Sequence, residues 1–218
     1  TLNSDARINV DAGTLSMTGT TAISFGTYTL TLGGAATNTL SGTFSGSGTI
    51  VKDGAGIVAI NANNGTSYTG PTNVNAGYVN LMQNNALGNN ATTTVSSPGT
   101  VQIIGNSINI PEPIIIKGDG VATNQGAIRN PSGNNTWSGL ITLGADARIV
   151  SGTVSGTISD SLLLIGNIAT STYTLTTEVK RGMRIDGVIS GTALTKVGTD
   201  TLILGGTNTY TGLTTISN

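Results

Sequence analysis

An internal repeat constrains the fold of this chain more than any other feature of its sequence. Segment 50–76 reads IVKDGAGIVAINANNGTSYTGPTNVNA, and segment 194–218 reads LTKVGTDTLILGGTNTYTGLTTISN. Both copies contain a glycine-bounded apolar run, a polar corner with one tyrosine, and a second short run of threonine and β-branched residues, and Lys52 corresponds to Lys196. Such a repeat indicates an array of units that stack on one another, not a globule closed on itself.

The apolar run of each copy alternates as a half-buried β-strand does. Val58 and Ile60 stand at the same alternate positions as Leu202 and Leu204. Because successive side chains of a strand point to opposite faces, we expect these four side chains to lie in the core and the other face of the strand to be wet.

The similarity reaches well beyond these two segments. Asp5-Ala6-Arg7-Ile8 returns as Asp146-Ala147-Arg148-Ile149, and matching residues lie between 141 and 145 positions apart. Residues 1–76 are thus similar to residues 142–218. The pattern predicts a single continuous β-solenoid segment over residues 1–218, with about one and a half copies of a repeat of roughly 140 residues, excised from a longer protein.

Composition favours short strands over helices and over disorder. The chain has 32 glycines, only 9% charged residues and 4% aromatic residues. Disordered chains are usually rich in charge and poor in β-branched residues, whereas this chain has little charge and many short runs of Ile, Val, Leu and Thr. No window keeps apolar residues at helical spacing, so the sequence predicts an all-β fold.

Strands this short and this frequent fit a sandwich, a barrel, a propeller or a solenoid. The long repeat decides among them, because a solenoid buries each rung on the next wherever it is cut. We therefore predict a right-handed parallel β-helix of about ten rungs, a rod on the order of 50 Å long at roughly 4.8 Å per rung.

Two segments of the unrepeated middle third break the strand pattern. Pro111 and Pro113 bracket Glu112, and because proline donates no backbone hydrogen bond, we expect a bend or an edge there. Segment 130–135, Asn-Pro-Ser-Gly-Asn-Asn, has the strongest turn composition in the chain and predicts a turn.

Charge and cysteine content exclude several partners. The net charge is −1 and histidine and cysteine are absent, so the chain lacks a basic surface for nucleic acid or anionic lipid, disulfides, and thiolate metal sites. No apolar stretch is long enough for a membrane span. We expect no nucleic-acid partner and no membrane insertion by this segment.

Catalytic and metal-binding patterns are also missing. General acid/base catalysis by carboxylates needs two of them about 5–9.5 Å apart. Instead Asp11, Asp53, Asp119 and Asp186 stand beside Gly or Ala, which predicts turns in which the aspartate caps its own backbone. No calcium loop pattern surrounds Asp53 or Asp119. The sequence predicts no catalytic, cofactor-binding or metal-binding residue, no cofactor, and no enzyme activity.

One segment concentrates charge. Glu178, Lys180, Arg181, Arg184 and Asp186 form the only dense charge cluster. A solvated loop with ion pairs of small energy is the favoured interpretation, and contact with an acidic glycan or a neighbouring rod is the alternative.

The second copy resembles the passenger-associated transport repeat, also called the autotransporter-associated β-strand repeat. The resemblance rests on LTKVG at 194–198, TLILGGTNTYTG at 201–212 and TTI at 214–216, and the first copy adds Gly77-Tyr78-Val79 and Ala86-Leu87-Gly88. Asp200 departs from the pattern at its second glycine. The resemblance implies a parallel β-helical passenger of a bacterial surface or secreted protein.

The leading hypothesis is a structural segment of a bacterial extracellular or surface protein that acts as a stalk or adhesive rod. The alternatives are a filament-forming subunit that stacks end to end, and a carbohydrate-active β-helix enzyme with clustered carboxylates. Expected partners are adjoining repeats of the same chain, further copies in fibres, and host or surface glycans.

Overall fold

The structure is a computed structural model that describes residues 1–19, 23–88, 91–152 and 161–217. Within those ranges the regular elements are β-strands, and there is no helix. The strands are β1 Ala6–Asn9, β2 Thr14–Met17, β3 Ile23–Gly26, β4 Leu30–Gly33, β5 Thr37–Leu40, β6 Phe44–Gly46, β7 Ile50–Lys52, β8 Ile57–Ile60, β9 Thr72–Val74, β10 Gly77–Leu81, β11 Thr93–Val95, β12 Gly99–Ile104, β13 Asn109–Ile110, β14 Ile114–Gly118, β15 Ile128–Ser132, β16 Asn134–Trp137, β17 Ile141–Ser151, β18 Ser161–Leu164, β19 Ile168–Ala169, β20 Thr174–Val179, β21 Met183–Ile185, β22 Ile189–Ser190, β23 Ala193–Val197, β24 Leu202–Leu204 and β25 Thr214–Ile216.

The strands stack into three faces of a solenoid, and every pairing between them is parallel. The first face contains β1, β4, β7, β9, β11, β14, the start of β17, β19 and β22. The second face contains β2, β5, β8, β10, β12, β15, the end of β17, β20, β23 and β25. The third face contains β3 and β6, and further along β13, β16, β18, β21 and β24.

This arrangement confirms the predicted all-β parallel solenoid. The chain makes about nine turns, close to the ten expected. The right-handed winding stays a prediction. A turn takes between 19 residues, from Thr174 to Ala193, and 29 residues, from Gly118 to Ala147.

The core is a column of side chains from alternate strand positions. Val58, Val79, Val101, Ile128 and Ile149 stand above one another on the second face and are buried. Each therefore removes its apolar surface from water against the coils before and after it.

The predicted inward positions are confirmed in the first copy and partly in the second. Val58 and Ile60 are 1% exposed. Leu202 packs partly on the core, whereas Leu204 is 37% exposed because it belongs to the last described coil of its face.

Aromatic side chains fill the third face. Phe25, Phe44 and Tyr68 lie in successive coils with ring centroids 5.4 to 5.9 Å apart, and all three are fully buried. Trp137 takes the same role further along and is fully buried too.

The two irregular segments of the middle third have different outcomes. Pro111, Glu112 and Pro113 lie between β13 and β14, outside both strands, as expected. The predicted turn at 130–135 is wrong, because these residues belong to β15 and β16 with a bend only at Gly133. The Asn130 side chain is buried and donates to the carbonyls of Gly133 and Ser161, which ties the strand to the next coil.

The second copy of the repeat begins one face further round the solenoid than the first. Ile50–Lys52 lies on the first face, and its counterpart 194–196 lies in β23 on the second face. Six turns separate Ile50 from Ile189 on the first face, and the second copy starts only afterwards. Arg7 and its counterpart Arg148 show the same shift, from β1 to β17 on the second face.

Candidate functional site: the contacts between coils

Four glycines form a column at the corner between the third and first faces. Gly139, Gly166 and Gly187 each stand two positions before a first-face residue, and Gly206 continues the column. Each of the four lies against the carbonyl oxygen of the residue at the same position one coil earlier. A Cβ at Gly166 would lie 1.9 Å from the Gly139 oxygen, and one at Gly187 would lie 2.0 Å from the Gly166 oxygen. Only glycine allows this approach, so the column sets how tightly the coils pack at this corner.

Lys52 is a charged side chain enclosed by the coils. Its side chain is 1% exposed, and its Nζ donates to the carbonyl oxygens of Asp53 and Gly54 at 2.7 Å and of Ala76, in the next coil, at 3.1 Å. Burial lowers the pKa of Lys52 to about 8, against a smaller opposing effect of the Asp53 carboxylate. The ammonium group uses all three donors on backbone carbonyls and joins two coils.

Lys196 repeats part of this arrangement on the second face. Its Nζ donates to the carbonyl of Gly198, as that of Lys52 does to Gly54. Its side chain is only half-buried. The correspondence of the two lysines in the sequence therefore reflects one local structure built on two different faces.

Glu112 occupies the glycine column position one coil before Gly139. The side chain is fully buried, its Oε1 lies 3.5 Å from Thr93 Oγ1, and its Oε2 has no hydrogen-bond partner in the described structure. Burial raises the pKa of Glu112 to about 8, and the Thr93 hydroxyl opposes that shift more weakly.

Most of the aspartates predicted to cap their own backbone form ion pairs with arginines instead. Asp53 binds Arg7 through two contacts of 2.8 Å across the intervening coil, where Gly33 leaves room for the pair. Arg7 thereby lowers the pKa of Asp53. Asp119 and Asp186 also pair with arginines, Arg148 and Arg184, and Asp11 accepts from Asn9.

Their prediction as self-caps is therefore wrong. A different pair of aspartates caps between coils instead. Asp5 accepts from the backbone N–H of Thr29, and its repeat counterpart Asp146 accepts from that of Thr174, both at 2.8 Å.

Arg148 forms a junction across three successive coils. Its Nε lies 3.1 Å from Asp119, its guanidinium also lies 3.1 Å from Glu178, and Glu178 in turn lies 2.8 Å from Lys180. The junction borders a groove of about 340 Å³ that Asn124 and Gly198 also line. Both carboxylates are already bound to cations, so their contacts tie the coils together and leave neither carboxylate free as a general acid or base.

The charge cluster predicted at 178–186 is divided between two faces. Glu178 and Lys180 take part in the Arg148 junction on the second face. Arg184 pairs with Asp186 at 2.7 Å on the third face, where Arg184 is about half exposed. Because carboxylates pair with Lys180 and Arg184 within these two groups, the ion pairs give little support to the predicted contact with an acidic glycan.

Among the described residues, no group of three or more His, Cys, Asp or Glu side chains is placed to hold a metal ion. In the same ranges, no helix is long and apolar enough to cross a membrane.

Exposed apolar side chains lie in two kinds of place. Leu213 and Ile216 are 81% and 74% exposed on the last coil. Leu140, Ile165 and Ile203 lie on the side of the rod and are each about half exposed.

Sequence reasoning found the equivalence of Lys52 and Lys196 but not the burial of Lys52 or of Glu112. Both are polar residues in polar, glycine- or proline-rich surroundings, which resemble solvated turns. The proline on either side of Glu112 was the available signal, because it marks a backbone held at a corner instead of a mobile loop.

Two segments of the chain, residues 50–81 and 194–218, match the family model of the passenger-associated transport repeat. They are the two copies from which the internal repeat was recognised, so the resemblance is confirmed. No curated protein and no solved structure matches the chain.

Proposed function

From two passenger-associated transport repeats in a parallel β-solenoid, we propose that this chain is a structural segment of a bacterial extracellular or surface protein, an autotransporter-like passenger that acts as a stalk or adhesive rod. The repeat and the fold fit such a passenger segment. At roughly 4.8 Å per coil, about nine turns make a rod on the order of 40 Å long.

The contacts between coils carry this proposal. The buried lysine, the glycine column and the ion pairs of Arg7 and Arg148 join different coils, and one cluster of buried apolar side chains extends along the described residues. A structure made of such contacts resists local unfolding, because most strands are hydrogen-bonded to a parallel strand on each side. Resistance to proteases is what a stalk outside the cell needs.

The enzyme alternative lacks a comparable observation. It predicts carboxylates gathered in one groove, and the nearest arrangement is the Arg148 junction, in which Asp119 and Glu178 are already bound to cations. A structural role accounts for these contacts without a substrate.

Surface display of the chain tests the stalk proposal. Residues 1–218 are fused between a signal peptide and the membrane barrel of an autotransporter whose own passenger has been removed. We expect antibody labelling on intact cells and a protease-resistant fragment of the rod. The control is Val101→Asp, which puts a carboxylate into the core and should leave a digestible chain.

If the unchanged chain is digested as fast as the Val101→Asp variant, the stalk proposal fails. Adhesion is a separate readout: cells that display the rod should attach to host-cell layers or glycan-coated surfaces more than cells that display the barrel alone. Equal attachment would limit the proposal to a stalk.

A further inference from the structure

The backbone of Glu112 is held in place by the next coil. Its carbonyl oxygen accepts a 3.0 Å hydrogen bond from Trp137 Nε1, and a Cβ at Gly139 would lie 2.0 Å from the same oxygen. Pro111 and Pro113 fix the backbone on both sides, since the proline ring locks φ. With its backbone fixed, the Glu112 side chain stays inside the rod, where it is fully buried.

In the described part of the chain, the surroundings of the Glu112 carboxyl group offer hydroxyl groups but no cation. Thr93 Oγ1 lies 3.5 Å from Oε1, while Oε2 has no hydrogen-bond partner in the described structure. The titratable group that faces Glu112 is Tyr68, which packs from two coils earlier and whose pKa burial raises, with a smaller contribution from Glu112. None of the ion pairs among the described residues includes Glu112.

A bare carboxylate in this place would be costly, because burial removes its hydration and no positive charge replaces it. The neutral acid avoids most of that cost, and its O–H can donate to a neighbouring hydroxyl oxygen. In the inward-facing column that contains Ile50, Ile114 and Ile141, threonines stand at the two coils before Ile114, and the nearer one, Thr93, contacts this carboxyl group.

We propose that Glu112 is a proton-uptake site coupled to folding: the side chain enters the rod as a neutral carboxylic acid, so that an alkaline medium loosens the coils around it. The folded-state pKa of about 8 lies above the ordinary value of 4.5, so the folded chain binds more protons than the unfolded chain between these values. The stabilisation is fully present below pH 4.5 and is lost as the pH rises towards 8.

Direct titration of the carboxyl group is the first test. The chain has two glutamates, Glu112 and Glu178. In Glu178→Gln protein labelled with ¹³C-glutamate, the only glutamate side-chain carboxyl resonance is therefore that of Glu112. We expect it to be protonated at pH 7 and to titrate near pH 8. A midpoint near 4.5 overturns the proposal.

The pH dependence of folding is the second test. Trp137 is the only tryptophan and lies against Glu112, so its fluorescence reports urea unfolding of this part of the rod. Uptake of one proton predicts that the ratio of folded to unfolded chain falls by up to tenfold per pH unit between about pH 5 and pH 8. Glu112→Gln stays neutral, so its ratio of folded to unfolded chain should not show this fall with pH. Asp11→Asn, an exposed control, should show the same fall as the wild type. Equal pH dependence in the wild type and Glu112→Gln overturns the proposal.

Discussion

Lys52 shows how a full charge is accommodated inside a nearly neutral rod. Its ammonium group is satisfied by three backbone carbonyls and not by a carboxylate, so the bond geometry depends on two coils being in register. The sequence predicted that Lys52 and Lys196 are equivalent, because that follows from the repeat. It could not predict the burial of Lys52, because the carbonyl of Ala76 reaches the lysine only after the next coil has stacked.

Replacing Lys52 by methionine should destabilise the rod. Methionine keeps an apolar stem but leaves three buried carbonyls unpaired, whereas relief from burying a charge offsets part of the loss. We expect the free energy of unfolding to fall by about 2–3 kcal/mol, measured by urea denaturation followed by circular dichroism. Lys196→Met is the matched control, because Lys196 is half-buried and bonds to Gly198; its loss should be about 1 kcal/mol or less. Equal losses in the two variants would mean that the enclosure of Lys52 contributes nothing.

At the scale of the element, the alternation of apolar residues was sufficient to predict strands, and the long repeat was needed to predict the parallel solenoid. Val58 and Ile60 face the core because a strand has a period of two residues and one face must be dry. The strands at 130–135 were missed because their Asn, Pro and Gly residues have the composition of a turn. Here Asn130 makes side-chain hydrogen bonds along the stack instead of bending its own backbone.

The rotation of the second copy onto another face was also not predictable. A turn varies from 19 to 29 residues, so the length of the repeat does not fix the number of turns. The same unit lies on two different faces, since each of its strands needs only a parallel strand to stack on.

Gly166→Ala should disrupt the glycine column. The added Cβ would meet the backbone oxygen of Gly139, which cannot move without separating the coils. We expect the free energy of unfolding to fall by about 2–4 kcal/mol, measured by thermal and urea denaturation. Gly182→Ala is the control, because the nearest atom to its new Cβ is 3.9 Å away in the Ser161 side chain. That variant should be neutral or more stable by up to about 1 kcal/mol. A tolerated Gly166→Ala would show that the corner is not tightly packed.

At the scale of the whole molecule, charge and open apolar surface decide how rods meet. With a net charge of −1, the rods repel each other weakly, and the apolar side chains of the last coil are the most exposed ones described. For the isolated 218-residue chain, association through Leu213 and Ile216 should therefore be stronger than association side by side.

Ile216→Asp should weaken self-association of the purified 218-residue chain. A carboxylate on the last coil would have to be buried when a second copy stacks there, at a cost of several kcal/mol. Sedimentation velocity over a range of concentrations measures the effect. Leu140→Asp is the matched control, because Leu140 is about half exposed on the side of the rod. If both variants associate to the same extent as the wild type, axial stacking does not occur through this surface.

The shift of the repeat by one face also affects what the rod displays. Two stretches of nearly the same sequence look outward in different directions, because Ile50–Lys52 lies on the first face and 194–196 on the second. An antibody that recognises the outer side of one copy would have to approach the other from a different side, so two such antibodies bound at once would not stand in line along the axis. A surface built in this way offers its motif to more than one direction without any bend in the rod.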